Sequence, residues 1–144
     1  MDAVIEYNGI ARPKHTPEWI TELKLDEVFV FGSNLHGAHG GGAAWVAYRQ
    51  FGAVMGQGVG MQGQSYAIPT MQGDASTIKP YVNDFIVFAR AHPELFFFVT
   101  RIGCGIAGFD DSEIAPLFEA ALELDNVCLP NSFVQILFNC KKAE

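Results

Sequence analysis

Hydrophobic and polar positions alternate in blocks along the chain, and the clearest block lies between residues 28 and 45. Residues 28–31 are a short apolar run of β-branched and aromatic side chains, which predicts a strand covered on both faces. Positions 32–42 are mostly glycine and polar residues, and positions 43–51 carry an apolar stripe at helical spacing. The pattern predicts a buried strand, a glycine-rich loop and a helix.

The same order recurs in the second half of the chain. Residues 95–100 form another apolar run of strand length, which we expect in the centre of a sheet. Residues 101–109 are again rich in glycine, and Asp110 and Asp111 then favour the start of a helix through its dipole. The chain therefore holds two strand–loop–helix units.

Weaker patterns predict the remaining elements. Thr16 before Pro17 is typical of a helix start, so we expect a short helix over residues 17–23 with Trp19 on its buried face. Residues 52–64 hold five glycines and are predicted to form a flexible loop that orders over a ligand as a lid. The other expected elements are an edge strand at 4–7 in an otherwise irregular start, a strand at 65–69, a helix over about 76–91, one or two short strands within 127–138, and a frayed end at 141–144.

Strands that alternate with helices predict an α/β fold with a largely parallel sheet and right-handed crossovers. Ligands of such sheets bind beyond the carboxyl ends of the strands, where both glycine-rich loops would lie. The first amides of a helix have no partner within the helix, and the helix dipole makes that end positive. The sequence therefore predicts one cleft that binds phosphate through backbone amides.

Composition narrows the classes of protein. With 144 residues and 49% hydrophobic content the chain is long enough for one domain over residues 1–144. The net charge is -7, and the chain has only nine lysines and arginines. Because binding to duplex nucleic acid or to an anionic membrane depends on basic side chains, the sequence predicts neither partner. The apolar stretches are far shorter than the roughly 20 residues that cross a bilayer, and the start lacks the order of a signal peptide, so a cytoplasmic protein is expected.

Three cysteines, Cys104, Cys128 and Cys140, show no C-x-x-C spacing. This argues against a disulfide framework and against a structural zinc site. No metal ligands and no cofactor are predicted.

At its two glycine-rich loops the sequence resembles a macro domain, the α/β module that binds ADP-ribose. The strand with Asn34 and the triple glycine at 40–42 resemble the first loop of that family, and residues 102–109 resemble its second phosphate loop. The resemblance covers about residues 26–124. It implies a three-layer α/β/α fold around the sheet, and a small-molecule ligand similar to ADP-ribose or an ADP-ribosylated macromolecule as the partner.

By this resemblance Asn34 would face the distal ribose, the triple glycine would lie along the ribose and diphosphate, and the second loop would wrap the diphosphate. The implied ligand-binding residues are Gly32, Ser33, Asn34, Gly40, Gly41, Gly42, Gly103, Cys104, Gly105, Ile106, Ala107, Gly108 and Phe109. If the domain hydrolyses an ADP-ribose derivative, Asn34 and His39 are the candidates that would orient water.

The sequence also departs from the family. Residues 43–45 are Ala-Ala-Trp where the hydrolase branch has Gly-Val-Asp, and residues 46–49 lack the glutamate pair of poly-ADP-ribose glycohydrolases. The acidic residue that reads adenine has no counterpart, because Asp26 lies next to the strand itself. The absence of these residues affects catalysis more than ligand binding. The sequence therefore predicts binding and does not decide whether the domain is an enzyme.

Each candidate also has a structural interpretation. Asn34 can stabilise a turn, and Cys104 can be a packing residue near a helix start. His39 can be a solvated or hydrogen-bonded residue with no role in binding. Phe109 can belong to the core, and Arg101 can form an ion pair at the end of its strand. The alternative to a ligand-binding domain is a non-enzymatic structural or interaction domain whose glycines only permit tight packing.

Overall fold

A computed structural model describes the backbone of residues 4–143 and the side chains of residues 4–139. The strands are β1 (Val4–Tyr7), β2 (Ile10–Pro13), β3 (Glu27–Ser33), β4 (Gly60–Gln62), β5 (Ser65–Pro69), β6 (Phe96–Val99) and β7 (Val127–Cys128). The helices are α1 (Gly42–Gln50), α2 (Lys79–Ala91), α3 (Asp111–Ile114) and α4 (Asn131–Ala143), with 3₁₀ helices at Ala75–Thr77 and Ala115–Glu123. The predicted α/β class is confirmed. Over residues 4–143, every helix is too short or too polar to span a membrane.

Five strands form the main sheet in the order β4-β5-β3-β6-β7. Neighbouring strands run parallel except at the β4 edge, where β4 is antiparallel to β5. Val30 of the central strand pairs with Tyr66 on one side and with Val99 on the other. The chain adds β5 on one side of β3 and then β6 on the other, so the direction of strand addition reverses at β3. Such a reversal opens a crevice at the carboxyl ends of the strands.

Apolar side chains cover both faces of the central strands, which explains why these strands read as continuous hydrophobic runs. Val28 and Val30 point into the larger core, whereas Phe29 and Phe31 point to the opposite face, where α1 packs. The larger core is completed by Val82, Phe85 and Ile86 of α2, by Phe118 and Ala121 of the second 3₁₀ helix, and by Phe133 and Leu137 of α4.

The first thirteen residues contain a hairpin that the sequence interpretation only half predicted. The expected edge strand at 4–7 is confirmed as β1, but it pairs with β2 through a two-residue turn. The turn residues Asn8 and Gly9 have φ angles of 52° and 77°. Asn-Gly between two strands is a strong hairpin signal, because both positions favour positive φ. The start is therefore not irregular, and the Asn8-Gly9 pair is the sequence signal for this hairpin.

The predicted helix over residues 17–23 is wrong. Thr16 does not cap a helix: its N–H donates to the Leu129 carbonyl at 3.0 Å and its hydroxyl donates to the Cys128 carbonyl at 2.9 Å. The segment is held without regular structure beside β7, and Trp19, expected to be buried, is 83% exposed. Tertiary hydrogen bonds here override the local helix signal.

The strand expected within residues 133–138 is also wrong, because α4 occupies this segment. Phe133 and Leu137 are both buried and lie four residues apart, which is helical spacing. A short apolar run does not by itself distinguish a strand from a buried helix. The helix continues through Ala143, so the expected fraying from residue 141 is not seen, and Glu144 lies outside the described residues.

Candidate functional site

A cleft of about 230 Å³ lies at the carboxyl ends of β3 and β6, where the strand order reverses. Both glycine-rich loops line it, together with residues that follow β5. From the predicted set it brings together Gly32, Ser33, Asn34, Gly41, Gly42, Gly103, Gly105, Ile106 and Ala107. The two loops therefore meet at one cleft, as parallel strands require.

Asn34 shapes the first loop. Its Nδ2 donates to the Ala38 carbonyl and its Oδ1 accepts from the Ala38 N–H, each at 3.0 Å. Gly37 within this turn has a φ of 68°, and a Cβ there would lie 2.3 Å from the Gln57 nitrogen, so only glycine fits. Asn34 thus stabilises the turn, the structural interpretation that the sequence left open, while it also lines the cleft.

The first loop brings the N-terminus of α1 to the cleft. Gly41 is the N-cap residue of α1 and has an extended conformation. Its carbonyl accepts the first hydrogen bond of the helix, from the Trp45 N–H at 3.2 Å. Gly42, Ala43 and Ala44 line the cleft, and their amides donate no hydrogen bond within the described part of the chain. Unpaired amides at the positive end of a helix dipole favour an anion.

The second loop folds into a compact turn and reaches back to the first. Gly103, at a φ of 78°, accepts a hydrogen bond from the Phe109 N–H at 2.8 Å. The amides of residues 105–107 donate no hydrogen bond to any described residue. Ile106 at the tip is 74% exposed, and its Cδ1 lies 3.2 Å from the position that a Cβ on Gly41 would take. The loops therefore approach each other across the cleft.

Every polar side chain of the cleft wall has a protein partner within the described residues. The hydroxyl pairs are Ser33 Oγ with the Gly58 carbonyl, Thr70 Oγ1 with the Ser33 carbonyl, and Thr100 Oγ1 with the Val30 carbonyl. Arg101 supplies the one charge among the residues of the wall, and its Nη2 lies 2.9 Å from Asp111 Oδ1. The ion pair that the sequence allowed for Arg101 is present, and it engages Nε and Nη2 of the guanidinium.

His39 does not reach the cleft. Its side chain is fully buried, its ring packs edge-on against Phe31 with 5.3 Å between centroids, and its Nε2 lies 3.1 Å from the Gln57 carbonyl oxygen. The expectation that His39 faces the cleft and orients water is wrong. The loop turns this ring towards the apolar face of β3, where it serves as a core residue.

Four predicted binding residues lie outside the cleft wall: Gly40, Cys104, Gly108 and Phe109. Gly40 is exposed, and no atom lies within 4 Å of the position that a Cβ on it would take. Phe109 packs against the main core, and Cys104 is half-buried with its Sγ 3.6 Å from the Ile102 carbonyl oxygen. For Phe109 and Cys104 the packing interpretation fits the structure.

Cys104 is expected to react slowly with alkylating agents. Burial raises the pKa of its thiol to about 12, and the nearby Asp111 carboxylate adds to the shift. Because only the thiolate reacts, alkylation by iodoacetamide at about pH 8 should be at least about tenfold slower than that of glutathione. Peptide mass spectrometry separates Cys104 from Cys140. Equal rates for Cys104 and glutathione would show that the thiol is not held in its neutral form.

Residues 52–64 pack against the first loop and against themselves rather than over the cleft. None of them belongs to the described cleft wall, and β4 within them pairs with β5. The buried Gln62 side chain accepts from the Val54 N–H at 2.7 Å and donates to the Gln57 carbonyl at 3.1 Å. In this structure the segment is therefore folded away from the cleft, and its ordering over a ligand stays a prediction.

Eight residues of the wall were not predicted: Ala38, Ala43, Ala44, Thr70, Met71, Thr100, Arg101 and Ile102. Thr70 and Met71 follow β5, which is parallel to β3. Carboxyl ends of neighbouring parallel strands share one edge of the sheet, so the predicted strand at 65–69 already contained the signal for these two residues.

Among the side chains of residues 4–139, no group of three or more histidine, cysteine, aspartate or glutamate residues is placed to hold a metal ion. Comparisons of the chain with protein-family models, with curated proteins and with solved structures found no match. The geometry of the cleft therefore carries the functional inference.

Proposed function

We propose that the chain is a divergent macro domain with a three-layer α/β/α arrangement, and that its cleft binds ADP-ribose or a related nucleotide diphosphate. The observation that carries this proposal is the meeting of two glycine-rich loops, each following a parallel strand, at one cleft. Both loops hold amides that donate no hydrogen bond within the described residues. Two sets of amides suit two linked phosphates.

The amides of residues 42–44 would bind one phosphate and those of residues 105–107 the other. A chain with a net charge of -7 does not attract a nucleotide by its overall field, so local dipoles must supply the attraction. Gly42 and Gly105, the first residue of each set, let the phosphate approach the backbone without a side chain between them. Recognition by backbone amides explains how the proposed site would bind two phosphates although its wall contains a single arginine.

The ligand would be free ADP-ribose or an ADP-ribosyl group on a macromolecule. Asn34, which the macro-domain resemblance places near the distal ribose, lines the cleft while its amide holds Ala38. Its role in the proposal is to position the first loop. The alternative function, a structural or interaction domain, requires that the cleft bind no nucleotide. A cytoplasmic location stays a prediction.

Calorimetry with ADP-ribose, ADP, NAD and ribose 5-phosphate tests the proposal. We expect heat of binding with ADP-ribose and ADP and weaker binding of ribose 5-phosphate, which has one phosphate. Because backbone amides carry no counterions, Kd should rise by no more than about threefold between about 50 and 200 mM salt. Absence of heat and of a thermal shift with all four compounds would leave the structural alternative standing.

Turnover of ADP-ribose derivatives is expected to be slow or absent. The described cleft wall contains no carboxylate and no histidine, and general-base catalysis contributes about a hundred- to ten-thousand-fold. The protein should be incubated with ADP-ribose 1''-phosphate, O-acetyl-ADP-ribose and an ADP-ribosylated protein, with products followed by mass spectrometry. Fast release from any of the three that Asn34→Ala abolishes without loss of binding would overturn this expectation.

A further inference from the structure

The cleft encloses less than a whole nucleotide diphosphate sugar. Its volume of about 230 Å³ is below the roughly 300–1,000 Å³ of pockets that enclose a small-molecule ligand. With the phosphates on the loop amides, the ends of the ligand extend beyond the rim. The nucleobase is one of these ends, so the residues at the rim decide which bases are accepted.

Two large apolar side chains stand at this rim. Met71 is 54% exposed and Ile106 is 74% exposed, and both line the cleft. They come from different strand ends, Met71 after β5 and Ile106 from the loop after β6. Thioether and aliphatic groups pack against the face of any aromatic ring, and this contact does not depend on the donors and acceptors at the ring edge.

Each neutral polar side chain of the cleft wall already has a hydrogen-bond partner inside the protein. The three hydroxyl groups donate to backbone carbonyls, and the Asn34 amide is bound at both ends. The Ser33 hydroxyl also satisfies the Gly58 carbonyl, which would lose this donor if the hydroxyl turned to a base.

Two charged residues considered as readers of a base, Arg101 and Asp26, each form an ion pair within the protein. Arg101 pairs with Asp111. Asp26 lies at the opposite end of β3 from the cleft, and its carboxylate is 2.7 Å from Arg12 Nη2. The partners do not change this, because Asp26 and Asp111 both lie outside the described cleft wall.

We infer that the cleft binds nucleoside diphosphate riboses without discriminating between bases: the backbone holds the diphosphate, and Met71 and Ile106 pack against whichever base is attached. This inference rests on the proposed function and adds to it the class of ligand. Adenine and guanine present opposite donors and acceptors at their six-position, so a site that reads the base edge does not accept both equally.

Calorimetry with ADP-ribose, GDP-ribose, UDP-ribose and inorganic pyrophosphate tests it. We expect ADP-ribose and GDP-ribose to bind within about threefold of each other, UDP-ribose within about tenfold because its ring is smaller, and pyrophosphate more weakly than all three. A preference of about thirtyfold or more for one purine would overturn the inference and leave the proposed function intact. Absence of binding by all four compounds would overturn both.

The variant Met71→Ala separates packing on the base from binding of the phosphates. We expect it to weaken binding of ADP-ribose and of GDP-ribose by about threefold to tenfold each, and to leave pyrophosphate within about twofold. Val87→Ala is the matched control, because Val87 is 63% exposed on α2 and lies outside the cleft. Unchanged binding of both nucleotides by Met71→Ala, or an equal loss for pyrophosphate, would overturn the role of Met71.

Discussion

Gly41→Val is expected to weaken ADP-ribose binding by at least about thirtyfold while the protein stays folded. Gly41 is extended, at a φ of -161°, so valine strains no backbone there. Its Cβ would lie 3.2 Å from Ile106 Cδ1, the end of a flexible side chain, and the rest of the valine would stand in the cleft. Displacing a phosphate from charge-assisted hydrogen bonds costs about 2 kcal/mol or more, which corresponds to the expected factor.

Gly40→Val is the matched control for this experiment. Gly40 is adjacent in sequence, has no atom within 4 Å of its Cβ position, and is absent from the described cleft wall. It should bind normally, although the sequence placed all three glycines at the ligand. Circular dichroism and thermal melting show whether each variant is folded.

Backbone recognition also predicts an order of effects among the variants. Gly105→Val, at a cleft position with open space around it, should weaken binding more than Arg101→Ala, because Arg101 already pairs with Asp111. Loss of binding in Arg101→Ala together with normal binding by both cleft glycine variants would refute the backbone account.

Arg12→Ala is expected to lower the free energy of unfolding by about 3–5 kcal/mol, a large part of the roughly 5–15 kcal/mol of a typical domain. The Arg12 side chain is fully buried, with Nη2 2.7 Å from Asp26 and Nη1 3.3 Å from Glu27. Its guanidinium also lies 4.7 Å from the centre of the Phe96 ring. Removing the arginine leaves two carboxylates without their cation, one of them buried.

Urea unfolding followed by tryptophan fluorescence measures this change. Arg90→Ala is the control, since Arg90 is exposed in the last turn of α2. A loss below about 1 kcal/mol in Arg12→Ala would mean that the hairpin is held by packing alone.

The pH dependence of stability gives a second measurement of the same cluster. The hydrogen bond from Arg12 holds the pKa of the Asp26 carboxyl below its ordinary value. A lowered carboxyl pKa contributes stability above the unfolded pKa of about 3.9, and this contribution is lost as the pH falls through the lower folded pKa. The free energy of unfolding should therefore fall with acid in the native protein and fall less steeply in Arg12→Ala.

Elements whose pattern is repeated over several residues could be predicted from the sequence. The strand at 65–69 has the predicted bounds, and α2 ends at Ala91 as expected, because its apolar residues recur at helical spacing over three turns. Short elements failed where the local signal was weak or ambiguous. Thr16 before Pro17 predicts a helix cap, but in the structure the Thr16 hydroxyl donates to the Cys128 carbonyl, 112 residues away in sequence.

The sequence alone determined the α/β class, the central strands, and the two glycine-rich loops that meet at their carboxyl ends, because these features follow from periodicity and from backbone freedom at glycine. Only the tertiary structure decided which side chains face the cleft. His39 and Gly41 are two residues apart in one loop, yet the first is buried against Phe31 and the second lines the cleft. The direction of a loop side chain is set by contacts with distant segments, such as that between Gly37 and Gln57, and no local pattern encodes it.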